Sequence, residues 1–98
     1  MASGRLMGFR LRFQFPDCRT LKDRRSRVAS LIQYAKARHG FSAADFSEPL
    51  QPDYAEVGFA AVGRTVEEIR GRLDRVIGAA ENKGETHLLG VEEFALED

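Results

Sequence analysis

The chain has 98 residues, of which 43% are hydrophobic and 31% are charged, a composition typical of one small globular domain covering residues 1–98. No apolar run approaches the roughly 20 residues of a membrane helix, and the first residues lack the apolar core of a secretory signal, so we expect no membrane association. The single cysteine, Cys18, excludes an internal disulfide and favours a reducing cytoplasm.

The formal net charge is zero, but the charges are distributed unevenly along the chain. Residues 1–40 contain ten Lys or Arg and two acids, whereas residues 41–98 contain five Lys or Arg and thirteen acids. Such a division is typical of a protein whose basic side meets an anionic partner. The alternative is that the two halves pair with each other after folding, and the sequence supports the two interpretations about equally.

The first predicted element is a strand from Met7 to Phe15. Apolar and polar residues alternate throughout this segment, so a strand would have one apolar and one polar face. Arg10 and Arg12 fall on the polar face, and Pro16 ends the strand. The apolar face is expected to cover the core.

A helix is predicted to begin near Leu21 and to end at Gly40. Thr20 and Asp23 have the spacing of a capping box at its start, and a glycine at its end suits a left-handed cap. Apolar residues recur along it at the helical period, which predicts one buried stripe. Five of the fifteen Lys and Arg residues lie between positions 18 and 27, so the start of this helix is the most basic stretch of the chain.

The following residues predict two strands and a second helix. A weak strand covers residues 41–47, a loop with two prolines follows, and a stronger strand covers residues 54–62. A second capping box at residues 65–68 opens the helix. Arg70 and Asp74 are four residues apart on its outer face, which predicts an ion pair exposed to solvent.

The last predicted strand covers residues 86–96. Its apolar residues change face between Val91 and Phe94, which predicts a bulge near Glu92 and Glu93. The resulting order βαββαβ contains two β-α-β units with right-handed crossovers. It predicts an α+β ferredoxin-like sandwich, in which a four-stranded antiparallel sheet carries both helices on one face. The other face is then open to water or to a partner.

Two motifs are similar to those of a known family. The segment Phe-Pro-Asp-Cys-Arg-Thr-Leu-Lys-Asp-Arg-Arg at residues 15–25 resembles the Pro-Gly-x-x-Ser-Leu-Lys-x-Lys-Arg segment of the YlxP-like family of domains of unknown function (DUF503). The strand Ala-Glu-Val-Gly-Phe-Ala-Ala-Val at residues 55–62 resembles that family's Ala-Glu-Leu-Gly-Val-Ala-Val-Val strand. The resemblance implies a small bacterial ferredoxin-like protein, whose relatives are often encoded beside genes of translation initiation and ribosome maturation. At residues 48–53 the chain departs from the family's Trp-containing loop, His-Gln-Asp-x-Trp-Gln.

The basic stretch predicts a binding surface for RNA or a ribosomal particle. A helix start offers free N–H groups and the positive end of the helix dipole, both of which favour phosphate. Arg24 is expected at the edge of the apolar stripe with its guanidinium in solvent, and Tyr34 is expected to stack on a base. Binding through the RNA backbone and its shape is expected, because the aromatic residues of the first strand face the helices. The predicted contact residues are Arg10, Arg12, Arg19, Lys22, Arg24, Arg25, Arg27, Tyr34 and Arg38.

Other functions have weaker support in the sequence. Cys18 has no neighbouring base, and His39 and His87 are expected to be structural. Without a metal-ligand motif or a glycine-rich phosphate loop, we expect no catalytic residues, no metal and no cofactor. The alternative to RNA binding is a protein-interaction module, which uses the basic face for an acidic protein or forms a homodimer through the open face of the sheet.

Overall fold

A computed structural model describes residues 3–97 and has the element order βαββαβ. The strands are β1 (Arg5–Gln14), β2 (Ser42–Asp45), β3 (Tyr54–Gly63) and β4 (His87–Ala95), and the helices are α1 (Leu21–His39) and α2 (Val66–Glu81). The strands form an antiparallel sheet in the order β2-β3-β1-β4, with both helices on one face. The predicted ferredoxin-like fold is therefore confirmed. Within residues 3–97, neither helix combines the length and the apolar character needed to cross a membrane.

The core lies between the sheet and the two helices. Alternate residues of β1 from Met7 to Phe13 are buried and contact the buried stripes of α1 and α2. The ring of Phe41 packs edge-on against those of Phe9 and Phe59, with centroid distances of 6.4 and 5.7 Å. These contacts fix the segment after α1 to the centre of the sheet, so the orientation of α1 over the strands is well defined.

Both helices begin as the sequence predicts. The Thr20 hydroxyl accepts a hydrogen bond from the N–H of Asp23 at 3.0 Å, and the Thr65 hydroxyl accepts one from the N–H of Glu68 at 3.1 Å. Gly40 ends α1 with a φ of 68°, a left-handed conformation that glycine adopts without a steric penalty. The local signals at the ends of α1 therefore determine where this helix starts and stops.

The last strand differs from the prediction in the position of its bulge. The register of β4 against β1 skips Leu89, so the bulge lies there and the expectation of a bulge near Glu92 and Glu93 is wrong. Val91 and Phe94 are three residues apart in a regular strand, which by itself places them on opposite faces of the sheet. Both are exposed, so β4 presents apolar side chains on two faces.

Candidate nucleic-acid interface

One side of α1 carries a row of exposed cations. Lys22, Arg25 and Lys36 are exposed, and with Ala29 and Gln33 they recur at intervals of three and four residues. Residues at these intervals lie on the same side of a helix. At 1.5 Å per residue the row is about 21 Å long. We call Lys22, Arg25 and Lys36 the cationic flank.

The cationic flank has no ion-pair partner among residues 3–97. The five ion pairs within this range involve other side chains, and none includes Lys22, Arg25, Lys36, Arg19 or Arg38. The helix α1 contains six Lys or Arg residues and one acid. Apart from Arg27, which pairs with Asp17, the cations of α1 are therefore not neutralised by ion pairs within residues 3–97, and the cationic flank produces a positive potential on this side of the molecule.

Lys36 was missed by the sequence analysis, although a signal for it exists. The predicted residues Arg27, Tyr34 and Arg38 share one side of the helix, whereas Lys36 lies on the opposite side, with Lys22 and Arg25. Extending the three-and-four spacing from Lys22 along the helix would have found it. Arg19 precedes the helix at the Lys22 end of the row, and Arg38 lies on the other side of the helix.

Arg10 and Arg12 lie on the open face of the sheet, away from both helices. Arg10 pairs with Glu56 at 3.1 Å, and its guanidinium carbon lies 5.4 Å from the centroid of the Phe46 ring. Arg12 lies 3.9 Å from Glu92. Of the five ion pairs in residues 3–97, these two join the basic first part of the chain to its acidic remainder. Mutual neutralisation is thus confined to the sheet and does not reach α1.

Arg27 belongs to an internal network at the start of α1. Its guanidinium donates two hydrogen bonds to the carboxylate of Asp17, at 2.6 and 3.1 Å, and one to the carbonyl of Glu85 at 3.3 Å. It also lies over the ring of Phe15, 5.1 Å from the centroid. The hydrogen bonds from Arg27 hold the pKa of Asp17 below its ordinary value, although burial opposes them. Arg27 thus ties α1 to the segment before β4.

Arg24 is buried, with 2% of its surface exposed, so the expectation that its guanidinium reaches solvent is wrong. One guanidinium nitrogen donates to the carbonyls of Glu48 and Gln51, at 2.7 and 2.5 Å. The Nε atom of Arg24 is buried without a hydrogen-bond partner within residues 3–97. The side chain holds the loop between β2 and β3 against α1, where a phosphate group cannot reach it.

Tyr34 lies on the α2 side of α1, in the wall of an apolar cavity of about 110 Å³ between the two helices. Its hydroxyl is hydrogen-bonded to Nε2 of His39 at 3.1 Å. Desolvation, followed by the charges of Arg75, Arg72 and Arg38, lowers the pKa of His39, so its ring is neutral at pH 7. Tyr34 is therefore held at the junction of the helices, apart from the cationic flank.

Cys18 is the one cysteine of the chain, and it is buried beside the start of α1. Burial raises the pKa of its thiol, against the opposing effect of Arg27. A thiol that stays protonated at pH 7 is a weak nucleophile. Within residues 3–97, no three His, Cys, Asp or Glu side chains come together as a metal site requires.

Comparison with known proteins gives a family and a set of structural neighbours. The family model described as "Protein of unknown function (DUF503)" matches residues 7–93. No curated protein matches this sequence. SnoaB, a cofactor-independent oxygenase from Streptomyces nogalater, has a TM-score of 0.62 at 15% identity, over 96% of this chain and 95% of its own. A protein provisionally described as an antibiotic biosynthesis monooxygenase from Chloroflexus aurantiacus has a TM-score of 0.59 at 17% identity, over 95% of this chain and 94% of its own.

These structural neighbours correct the expectation that the chain is not an enzyme. At 15% and 17% identity they share its fold alone, but that fold extends over nearly the whole of each chain. One of them is an oxygenase that works without a cofactor. The absence of a metal motif, a cofactor motif or a cysteine–base pair therefore does not exclude catalysis. The same architecture carries catalysis without a cofactor in another protein.

Proposed function

We propose that this chain, which belongs to the family of proteins of unknown function DUF503, binds RNA, free or in a ribosomal particle, through the cationic flank of α1. The observation that carries the proposal is the row of three exposed cations without an ion-pair partner among residues 3–97. Phosphate groups complement such a row, because binding them releases the counterions condensed on the nucleic acid.

The length of the cationic flank supports an extended polyanion in preference to a single small anion. Its cations are spread over about 21 Å of helix, which is too long for one phosphate group to contact them all. Lys22 also lies in the first turn of α1, where the helix dipole adds to its positive charge. Arg19, just before the helix, extends the row at that end.

The residues between the cations support binding with little dependence on base sequence. Ala29 offers no hydrogen-bonding group, and Gln33 is the one uncharged side chain of the row that could read a base edge. Contacts to phosphate position a protein on a nucleic acid, whereas contacts to base edges give sequence specificity. The flank therefore suits the RNA backbone.

Charge reversal tests the proposal directly. In the variant Arg25→Glu, Lys36→Glu we expect the affinity for a fluorescein-labelled single-stranded RNA, measured by anisotropy at low salt, to fall at least tenfold. The physical reason is that two attractive phosphate contacts become repulsive. Both side chains are exposed, so circular dichroism should show an unchanged fold.

The matched control is the variant Arg64→Glu, Arg75→Glu, because both arginines are exposed, lie outside α1 and are absent from the ion pairs of residues 3–97. It changes the net charge by the same amount and should bind within about twofold of the parent. If both variants lose RNA affinity equally, the net charge of the protein, and not the cationic flank, governs binding. If the parent protein does not bind RNA but binds an acidic polypeptide, the result would favour the alternative that the basic face binds a protein.

A further inference from the structure

The open face of the sheet carries an apolar patch that no element within residues 3–97 covers. Five of the eight large apolar side chains described as exposed lie on this face, with 43% to 66% of their surface exposed. A contiguous exposed apolar patch of this kind more often marks an interaction surface than a surface without a partner. The patch consists of Leu6, Phe46, Val62, Phe94 and Leu96.

The centre of the patch is a groove of about 390 Å³ with a floor of small residues. The Phe46 ring covers Gly58 so closely that a Cβ atom there would collide with it. A Cβ atom on Gly8 would lie 3.3 Å from the side chain of Leu96. The third floor residue is Ala60. The two glycines leave room for the side chains of Phe46 and Leu96 to pack directly on the backbone of the sheet, so these side chains form the surface that a partner would meet.

The charged groups of the open face neutralise one another. Arg10 pairs with Glu56, whose carboxylate also accepts a hydrogen bond from the Tyr54 hydroxyl at 3.0 Å. Arg12 and Glu92 form the other opposite-charge pair. The face therefore has no net charge to attract either a polyanion or a polycation, in contrast to the cationic flank. An apolar surface that is itself neutral is the complementary partner.

The geometry points to a second copy of this chain as the occupant of this face. Because the strand order is β2-β3-β1-β4, a two-fold axis along the strands between β3 and β1 stacks the sheets with β4 of each copy over β2 of the other. On the open face β4 carries Phe94, followed by Leu96, and Phe46 lies just after β2, so this axis places the Phe94 edge of one copy over the Phe46 edge of the other. The face is itself apolar and neutral, so each copy supplies the surface that complements the other.

The area of the face is sufficient for a specific dimer. Four strands spaced about 4.8 Å apart and up to about ten residues long give on the order of 500 Å² per copy. The total of roughly 1,000 Å² reaches the lower limit of specific interfaces, so a reversible dimer is expected. The helices lie on the outer faces of such a dimer, which leaves both cationic flanks free.

Sedimentation velocity of the full chain tests the inference. The parent, with a chain mass of 11.0 kDa, is expected to sediment as a dimer at micromolar concentrations. The variant Phe94→Glu, Leu96→Glu should sediment as a monomer, because burying two carboxylates in the interface is unfavourable. The matched control is Leu50→Glu, since Leu50 is 84% exposed but lies in the loop after β2, off the open face. It should remain dimeric.

A second variant, Val62→Glu, keeps the inference testable if the double variant fails to fold. Val62 is 66% exposed, so its replacement should preserve the circular dichroism of the parent while weakening dimerisation at least tenfold. A parent that is monomeric at about 100 μM, well above the dissociation constant of a specific interface, would overturn the inference. The inference would also be overturned if Val62→Glu or the Phe94→Glu, Leu96→Glu variant folds and remains as dimeric as Leu50→Glu. RNA binding by the cationic flank is unaffected by either result.

Discussion

At the scale of single residues, the basic stretch at the start of α1 contains cations with different roles. Successive residues of a helix are rotated by about 100°, so neighbours in the sequence meet different environments. Arg24 points into the protein and binds backbone carbonyls, and Arg27 pairs with Asp17. Lys22 and Arg25 are exposed and unpaired within residues 3–97. With Arg19, which is exposed just before the helix, these two are the members of the stretch that are available to a partner.

The structural role of Arg24 predicts a large loss of stability on its removal. In Arg24→Ala, the carbonyls of Glu48 and Gln51 lose their donor, and a cavity replaces the side chain. We expect the free energy of unfolding, measured by urea denaturation, to fall by about 3 kcal/mol. The neighbouring substitution Arg25→Ala should change it by less than about 0.5 kcal/mol, because Arg25 is exposed. Similar effects of both substitutions would contradict the assigned role.

At the scale of elements, the sequence predicts those features that depend on neighbouring residues. Strict alternation identifies β1, and Thr20 and Gly40 give the ends of α1, because caps and periodicity are local. The hydrogen bonds of Arg24 could not be predicted, since backbone carbonyls 24 and 27 residues away leave no signature in the sequence. The bulge at Leu89 was misplaced because register depends on the partner strand.

The ion-pair partner of Arg70 could likewise not be predicted from neighbouring residues. The spacing in α2 predicts an ion pair with Asp74, but Arg70 instead donates two hydrogen bonds to Glu93 of β4, at 2.9 and 2.7 Å. A bidentate geometry across elements is favoured over a pair within the helix, because both N–H groups on one edge of the guanidinium are then used. This pair links the edge strand β4 to α2.

The link between Arg70 and Glu93 predicts a change in titration. Hydrogen bonds from Arg70 lower the pKa of Glu93, so its contribution to stability is present above the ordinary pKa and is lost as the pH falls through the lowered value. In Arg70→Ala, the pKa of the Glu93 carboxyl, measured by NMR, should return to the ordinary value of about 4.3. Titration of Glu93 at the same low pH in both proteins would show that Arg70 is not the cause.

At the scale of the whole molecule, the formal net charge is zero, but the charges are unevenly distributed over the surface. The helical layer carries the unpaired cations of α1, whereas the charges on the open face of the sheet pair with each other. One side therefore suits an extended polyanion and the other a neutral apolar surface. This separation allows both partners to be bound at once by a chain of 98 residues.

The dependence of RNA affinity on salt tests the central claim most directly, because it counts the phosphates that are neutralised. The parent should be compared with the variant Lys22→Gln, Arg25→Gln, Lys36→Gln. Loss of three contacts to single-stranded RNA should reduce the slope of log K against log salt by about two. The control Arg5→Gln, Arg64→Gln, Arg75→Gln removes the same charge from exposed residues outside α1 and should leave the slope unchanged. Equal slopes for the parent and the flank variant would contradict binding through α1.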